Sequence, residues 1–134
     1  MPFLFPDVLS TIRSLSKQEY YLAVLSNGWP KRFLEIKRSK IGRYLNTILV
    51  SSIIGAEKPE EKAYQIAIEE IGFPAKQILM IDNKDQYLVP AYRIGMQVLY
   101  LDRINFNPDS KFHRIKSVAE VKNYLKRNSS KVFS

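Results

Sequence analysis

Four short apolar runs, each followed by residues that favour turns, constrain the fold of this chain more than any other feature. The runs span residues 20–25, 47–50, 78–81 and 97–101. Runs this short, with apolar residues on both alternating faces, are typical of strands buried on both sides in a parallel sheet. The sequence therefore predicts four such strands, with a fifth, short one near residues 113–115.

Helical periodicity fills the segments between these runs. Helices are predicted over residues 7–18, from Pro30 to near Gly42, from Pro59 to Gly72, over 87–94 and over 117–126. Asp7 is a candidate N-cap, and Pro90 is compatible with its helix only in or near the first turn. Helices alternating with apolar strands predict a three-layer, Rossmann-like α/β fold, in which helices cover both faces of a parallel sheet.

Length and composition exclude several classes of protein. The 134 residues suit one domain, residues 1–134, with a basic tail at about 127–134. The chain has no cysteine and one histidine, which excludes disulfide frameworks, thiolate zinc sites and thiol nucleophiles. The apolar run at residues 1–6 is too short for a signal peptide, and no segment is long and apolar enough to span a membrane. We expect a cytoplasmic protein that does not bind membranes.

Polar residues that could bind a ligand follow the predicted strands, where the ligands of open α/β sheets lie. Ser26, Asn27 and Gly28 follow the first strand, Lys58 precedes a helix, and Asp82 ends a later strand. A hydroxyl and backbone amides can hold phosphoryl oxygens, a lysine neutralises phosphate, and a carboxylate is a ligand for Mg²⁺. Each of these residues is also common in ordinary turns, on surfaces or at helix caps, so the pattern rests on their combination.

The order and context of these residues resemble the haloacid dehalogenase-like (HAD) hydrolases. Residues 22–28, Leu-Ala-Val-Leu-Ser-Asn-Gly, are similar to the second motif of that superfamily. Residues 55–59, Gly-Ala-Glu-Lys-Pro, resemble the third motif at the start of a helix. Residues 78–83, followed by a helix that ends at Gly95 and Met96, resemble the fourth motif. The resemblance covers about residues 3–127.

The resemblance implies roles for individual residues. Ser26, Asn27, Gly28 and Lys58 would bind the phosphoryl or carboxylate group of a small phosphorylated or halogenated substrate. Ser26 and Lys58 would also take part in catalysis, with Lys58 stabilising charge on the nucleophile and on the intermediate. Asp82 would help to hold Mg²⁺, and Asp85 and Asn83 are weaker candidates for that metal.

The chain departs from the family pattern at its start. Family members begin with a central strand ending in Asp-x-Asp, whose first aspartate forms a covalent intermediate and whose second is the general acid and base. No Asp-x-Asp occurs in this sequence, and the insertion that forms the cap is absent as well. We therefore expect a truncated or split hydrolase, inactive alone and weak in binding Mg²⁺. The strands ending at Ser26 and Asp82 would have to pair directly, or a homo-oligomer or a separate N-terminal polypeptide would complete the sheet.

A second interpretation stays open at this point. The chain has 21 lysine and arginine residues against 13 aspartate and glutamate residues, and basic residues are concentrated in residues 31–43. Such a stretch is most often a solvated helix face, but it also suits a degenerate, non-catalytic HAD-like domain. That domain would bind a protein partner or an anionic ligand, including nucleic acid, through its basic surface.

Overall fold

The computed structural model describes residues 6–103 and 109–127, together with the backbone of residues 128 and 132–133. The described helices are α1 (Pro6–Lys17), α2 (Lys31–Arg38), α3 (Ser51–Ile54), α4 (Glu61–Ile71), α5 (Asp85–Arg93) and α6 (Val121–Asn128). The described strands are β1 (Tyr21–Ser26), β2 (Thr47–Val50), β3 (Ile78–Asp82), β4 (Gln97–Leu101), β5 (Arg114–Ile115) and β6 (Val132–Phe133). Short 3-10 turns lie at Gly42–Tyr44, Ala75–Gln77 and Val118–Glu120.

The six strands form one parallel sheet in the order β2-β1-β6-β3-β4-β5. Alternate residues of each strand face opposite layers of helices. Leu22 and Leu79 belong to a cluster with buried residues of α1 and α6. Ala23 and Met80 belong to a second cluster, with buried residues of α4 and α5. The predicted three-layer α/β fold is confirmed.

Three predicted helix starts differ from the structure by two residues or more, and one of them is that of the last helix, which begins at Val121 and not at residue 117. Pro59 does not open its helix, since α4 begins at Glu61 and Glu60 stands at the N-cap position. The helix containing Pro90 begins earlier than predicted, at Asp85, so the proline is at its sixth position and not in the first turn. Proline has no N–H, so that position of α5 lacks the usual helical hydrogen bond.

Asp7 does not cap its own helix as predicted, because α1 already begins at Pro6. Its carboxylate instead accepts hydrogen bonds from the Val118 backbone N–H at 2.8 Å and the Arg103 guanidinium at 3.1 Å. Burial raises the pKa of this carboxyl, but the bonds from Arg103 and Val118 outweigh burial and leave the pKa below its usual value. The side chain thereby ties α1 to the 3-10 turn that precedes α6.

A second ion pair lies after β4. The Asp102 side chain is 1% exposed, and its carboxylate is 3.0 Å from the guanidinium of Arg114 in β5. The pair fixes the edge strand β5 against the sheet. None of the helices in the described ranges is long and apolar enough to cross a membrane.

The strand β6 lies in the region where the sequence predicted a basic tail. Val132 stands between Tyr21 and Ile78, and Phe133 between Leu22 and Leu79, both in parallel register. β1 and β3 are therefore not direct neighbours. Within the described part of the chain, residues 23–26 of β1 and 80–82 of β3 have no strand partner on the edges that face each other. We call the space between these two edges the inter-strand gap.

Candidate functional site

The carboxyl ends of β1 and β3 and the loop before α4 meet around a cavity of about 390 Å³ at the inter-strand gap. We call it the site cavity. Ser26, Asn27, Lys58 and Asp82 all line it, as the sequence predicted. They converge because the carboxyl ends of parallel strands meet at one edge of a sheet.

Lys58 and Asp82 form a nearly buried ion pair at the centre of the site. The Lys58 Nζ is 3.0 Å from the Asp82 Oδ2, and the two side chains are 9% and 11% exposed. The other carboxylate oxygen of Asp82 accepts a hydrogen bond from the Asn83 backbone N–H at 2.7 Å. Because an ammonium has three donors, this pair holds Lys58 in place while leaving donors for a ligand.

The side chain of Asn27 fixes the loop that carries Lys58. Its Nδ2 donates to the Lys58 carbonyl and its Oδ1 accepts from the Lys58 N–H, each at 2.9 Å. This pair joins two loops that are thirty-one residues apart in sequence. Both polar ends of the amide are engaged in this way, so in this structure Asn27 positions Lys58.

Arg32 belongs to the site although the sequence analysis placed it only on a basic helix face. Its Nη1 donates a hydrogen bond to the Ser26 Oγ at 3.2 Å, and its Nε is 3.4 Å from the Glu35 carboxylate. The Ser26 oxygen accepts this bond and its own proton stays available for donation. No motif or spacing signalled this role, because the contact depends on how α2 packs beside β1.

Tyr87 is a second residue that the sequence analysis did not assign to the site. The Lys58 Nζ lies 4.8 Å and the Lys84 Nζ 5.2 Å from the centre of its ring. The Tyr64 hydroxyl donates to the Tyr87 carbonyl at 2.6 Å. Burial, followed by the charge of the Asp82 carboxylate, raises the pKa of Tyr64 far above its usual value, so Tyr64 remains a donor. The aromatic ring thus gives the lysine ammonium a second favourable contact.

Gly28 is set apart from the other predicted residues. Its N–H donates to the Ser51 hydroxyl at 2.9 Å and is therefore already engaged. Gly28 lines a second, open cavity of about 560 Å³, together with Trp29, which is 76% exposed. Asn27 contributes to the walls of both cavities.

The three predicted metal ligands do not all lie at the site cavity. Asp82 is engaged with Lys58, and the Asp85 carboxylate accepts a hydrogen bond from the Ser110 hydroxyl at 2.8 Å. Asn83 lines the site cavity, whereas Asp85 does not. The described ranges contain no group of three histidine, cysteine, aspartate or glutamate residues that could hold a metal ion. Mg²⁺ prefers several oxygen ligands, so the described residues do not fit it by themselves.

Proteins of known activity resemble this chain over most of its length. The (S)-2-haloacid dehalogenase 4A of Burkholderia cepacia is 26% identical over 132 residues, which are 95% of this chain and 57% of that protein. The glyceraldehyde 3-phosphate phosphatase of Methanothermobacter thermautotrophicus is 27% identical over 100 residues, 73% of this chain and 44% of the phosphatase. The chain spans about half the length of these relatives.

Solved structures show the same architecture. A HAD phosphatase from Thermococcus onnurineus superposes with a TM-score of 0.84 at 21% identity, over 90% of this chain and 57% of the other. The HAD-hydrolase YfnB from Bacillus subtilis, bound to magnesium, superposes with a TM-score of 0.81 at 19% identity, over 90% and 55%. At these identities the likeness concerns the fold. The sequence model of the family described as haloacid dehalogenase-like hydrolase matches residues 2–101, and the chain therefore belongs to this family.

Proposed function

We propose that this chain supplies the anion-binding part of a hydrolase that acts on small phosphorylated or halogenated substrates. The observation that carries the proposal is the ion pair of Lys58 and Asp82, which lies in one cavity with the Ser26 hydroxyl. A phosphate ester carries an anionic phosphoryl group and a haloacid carries a carboxylate. Both groups suit a site that contains a hydroxyl donor and a nearly buried ammonium.

Three side chains would contact the anion. Ser26 would donate its hydroxyl proton, and Lys58 would donate through the ammonium protons that Asp82 does not engage. Arg32, which already touches the Ser26 oxygen, would add a guanidinium donor at the rim. Asn27 would act through Lys58, because both polar ends of its side chain hold the Lys58 backbone.

The nucleophile would come from outside the described residues. Asp82, the acidic side chain in the wall of the site cavity, is held by Lys58 and by the Asn83 N–H. By resemblance to the family, an added aspartate would attack the phosphorus, or the carbon that bears the halogen. The alcohol, protonated by a general acid, or the halide ion would leave. Water would then hydrolyse the acyl phosphate or ester and regenerate the carboxylate.

A complementation assay tests this function. The chain is mixed with a polypeptide that carries an apolar strand ending in Asp-x-Asp, and hydrolysis of para-nitrophenyl phosphate and of 2-chloropropionate is measured. We expect no turnover by the chain alone and turnover of one substrate class by the mixture. In the mixture, Lys58→Met should lower kcat by about 10²-fold or more, as expected for a group that stabilises transition-state charge.

Lys76→Met is the matched control, because this exposed lysine lies in the turn before β3, at the end of the strand opposite the site. It should leave the rate of the mixture unchanged. Turnover that is equal in the parent and the Lys58→Met mixtures would contradict the proposed role of the site. So would the failure of every such polypeptide to give turnover with either substrate class.

A second candidate function is anion binding without catalysis, and a basic cluster outside the walls of the site cavity favours it. The Tyr44 hydroxyl accepts hydrogen bonds from the Arg13 Nε at 3.0 Å and the Arg43 Nη2 at 2.7 Å. These bonds, first from Arg13 and then from Arg43, lower the pKa of Tyr44 below its usual value. Two guanidinium groups and a phenol on the surface are groups that contact nucleic-acid phosphates in proteins.

Binding to single-stranded RNA separates the two candidates. The second function predicts affinity that falls steeply with salt concentration, because phosphate contacts release counterions. Arg43→Gln should weaken that binding, and Lys58→Met should leave it unchanged. Absence of salt-dependent binding would leave the hydrolase as the candidate function.

A further inference from the structure

We propose that the second cavity, lined by Gly28 and Trp29, is a binding site for a small organic cation, a primary ammonium ion. The cavity has a volume of about 560 Å³ and lies between the loop after β1, the helix α3 and the loop before α4. We call it the tryptophan cavity. Its ligand would bind independently of the proposed function.

The tryptophan side chain is the feature that points to a ligand. Trp29 is the single tryptophan of the chain, and it is 76% exposed. Tryptophan is highly buried on average in folded proteins, because its ring carries a large apolar surface. The face of an indole is also the aromatic surface that attracts cations most strongly. An indole exposed in the wall of a cavity is therefore suited to a cationic group.

The charge of the cavity walls is opposite in sign to that of the whole chain. Glu57 and Glu60 line the tryptophan cavity, and none of the described residues in its walls is lysine or arginine. The chain as a whole carries a net charge of +8. Arg32, in the helix that follows the loop of Trp29, directs its guanidinium to the Ser26 hydroxyl and to a carboxylate of α2. The local charge therefore favours a cation over an anion.

The two carboxylates retain oxygen atoms that can accept hydrogen bonds from a ligand. One oxygen of Glu60 accepts the Glu57 backbone N–H at 2.9 Å, and its second oxygen remains for a ligand. The described residues give the Glu57 carboxylate no ion-pair partner. Carboxylates form strong hydrogen bonds with charged N–H donors, which a primary ammonium has and a quaternary ammonium lacks. A primary ammonium can therefore use the carboxylates and the indole face together.

Hydrogen bonds hold the walls of the cavity in place before a ligand binds. The Gly28 N–H donates to the Ser51 hydroxyl at 2.9 Å, and the Ser52 N–H donates to the Gly28 carbonyl at 3.3 Å. The loop before α4 is fixed by the Asn27 amide, which bonds to the N–H and the carbonyl of Lys58. Walls that are already ordered lower the entropic cost of binding a ligand.

Titration of the full chain with n-butylammonium chloride at constant ionic strength tests this inference. Because the chain has one tryptophan, the single indole N–H resonance in NMR spectra reports binding at Trp29. We expect a saturable shift of this resonance. Butan-1-ol, an uncharged molecule of similar size, should bind at least about tenfold more weakly, because it forms neither the cation–π contact nor the charge-assisted hydrogen bonds. Magnesium chloride at the same ionic strength should give no saturable shift.

Glu57→Gln and its matched control Glu69→Gln test the role of the carboxylate. Both variants remove one negative charge from an exposed side chain, but Glu69 lies in α4 and outside the walls of the cavity. Glu57→Gln should weaken butylammonium binding by about fivefold, the equivalent of one exposed ion pair, and Glu69→Gln should bind like the parent. Trp29→Leu, followed at the Gly55 amide, should weaken binding by a similar factor, because leucine is apolar but has no ring.

Several results would overturn the inference. They are the absence of a saturable shift with butylammonium, equal affinities for butylammonium and butan-1-ol, and equal affinities of the parent and of either Glu57→Gln or Trp29→Leu. A saturable shift with magnesium chloride would assign the cavity to a metal ion, and that also overturns the inference. So would an indole shift that depends on protein concentration without any ligand, because a second copy of the chain would then cover the cavity.

The titration and the complementation assay fail independently. No substrate is hydrolysed in the titration, and no residue of the pair Lys58 and Asp82 is changed in its variants. A saturable butylammonium shift together with failure of the complementation assay would support the cation site and reject the hydrolase. Turnover in the complementation assay without a butylammonium shift would support the hydrolase and reject the cation site.

Discussion

Replacing Asp82 by asparagine while keeping Lys58 tests whether the ion pair of the site is already formed in this chain. The substitution leaves an ammonium whose side chain is only 9% exposed without its carboxylate. Removing one partner of a buried pair typically costs about 3–5 kcal/mol. The ring of Tyr87, 4.8 Å from the Lys58 Nζ, contacts the ammonium in the parent already, so this contact does not change the difference between parent and variant. We therefore expect Asp82→Asn to lower the free energy of unfolding by about 3 kcal/mol.

A double-mutant cycle isolates the energy of the pair. Lys58→Met leaves the Asp82 carboxylate with the hydrogen bond from the Asn83 N–H but without its cation, and should lower the free energy of unfolding by a similar amount. The double variant contains no unpaired charge, so its loss should be smaller than the sum of the two single losses by about 2 kcal/mol or more. Urea denaturation followed by far-ultraviolet circular dichroism supplies all four free energies, and equal slopes across the variants check that each transition is comparable.

The opposite result is well defined. An exposed, loosely held ion pair contributes at most about 1 kcal/mol. Losses of that size in both single variants, with a coupling energy near zero, would refute the reasoning. They would mean that Lys58 and Asp82 are solvated in this chain and that the site is not preformed.

Three further predictions concern stability. Gly42→Ala should lower the free energy of unfolding by about 3 kcal/mol, because the added Cβ would lie 2.0 Å from the Lys37 carbonyl oxygen. Gly55→Ala should lower it by about 1 kcal/mol, because alanine is strained at the positive φ of this residue although the space around it is open. Arg114→Leu should cost about 3 kcal/mol, since it leaves the buried Asp102 carboxylate without its guanidinium, and Arg114→Lys should recover part of that loss in the same urea assay. Asp7→Asn should destabilise the chain by about 2 kcal/mol at neutral pH, where the carboxylate accepts two hydrogen bonds. Because the pKa of Asp7 is lowered in the folded chain, this contribution is present above the pKa of the unfolded chain and is lost as the pH falls through the folded value. The free energies of unfolding of parent and variant should therefore become equal in acid. A difference in free energy that is independent of pH would contradict the assignment.

The sequence was sufficient to predict the three layers of the fold and the position of the site at the edge of the sheet. Runs such as residues 78–81 are apolar at every position because both faces of β3 are covered, and that pattern needs no tertiary information. The sequence could predict that Ser26, Lys58 and Asp82 lie close together, because the carboxyl ends of parallel strands share one edge of the sheet. The order of motifs then identified the family.

Contacts that depend on packing could not be predicted from the sequence. β6 has two residues, too few for any periodicity, and its place between β1 and β3 follows from the unpaired edges that flank it. Arg32 reaches Ser26 across the first turn of α2, and the basic character of that segment indicated a solvated face. Gly28 was expected beside the anion, yet the Ser51 hydroxyl, at the start of the unpredicted helix α3, already accepts its N–H.

Titration of the full chain with inorganic phosphate, followed by amide NMR, tests most directly whether Ser26, Lys58 and Arg32 form an anion site. We expect saturable shifts at the amides of Ser26, Arg32 and Lys58, which are lost in the Lys58→Met variant and retained in Lys76→Met. Shifts spread over the basic helix α2 and the surface around Arg43, equal in the parent and in Lys58→Met, would contradict it.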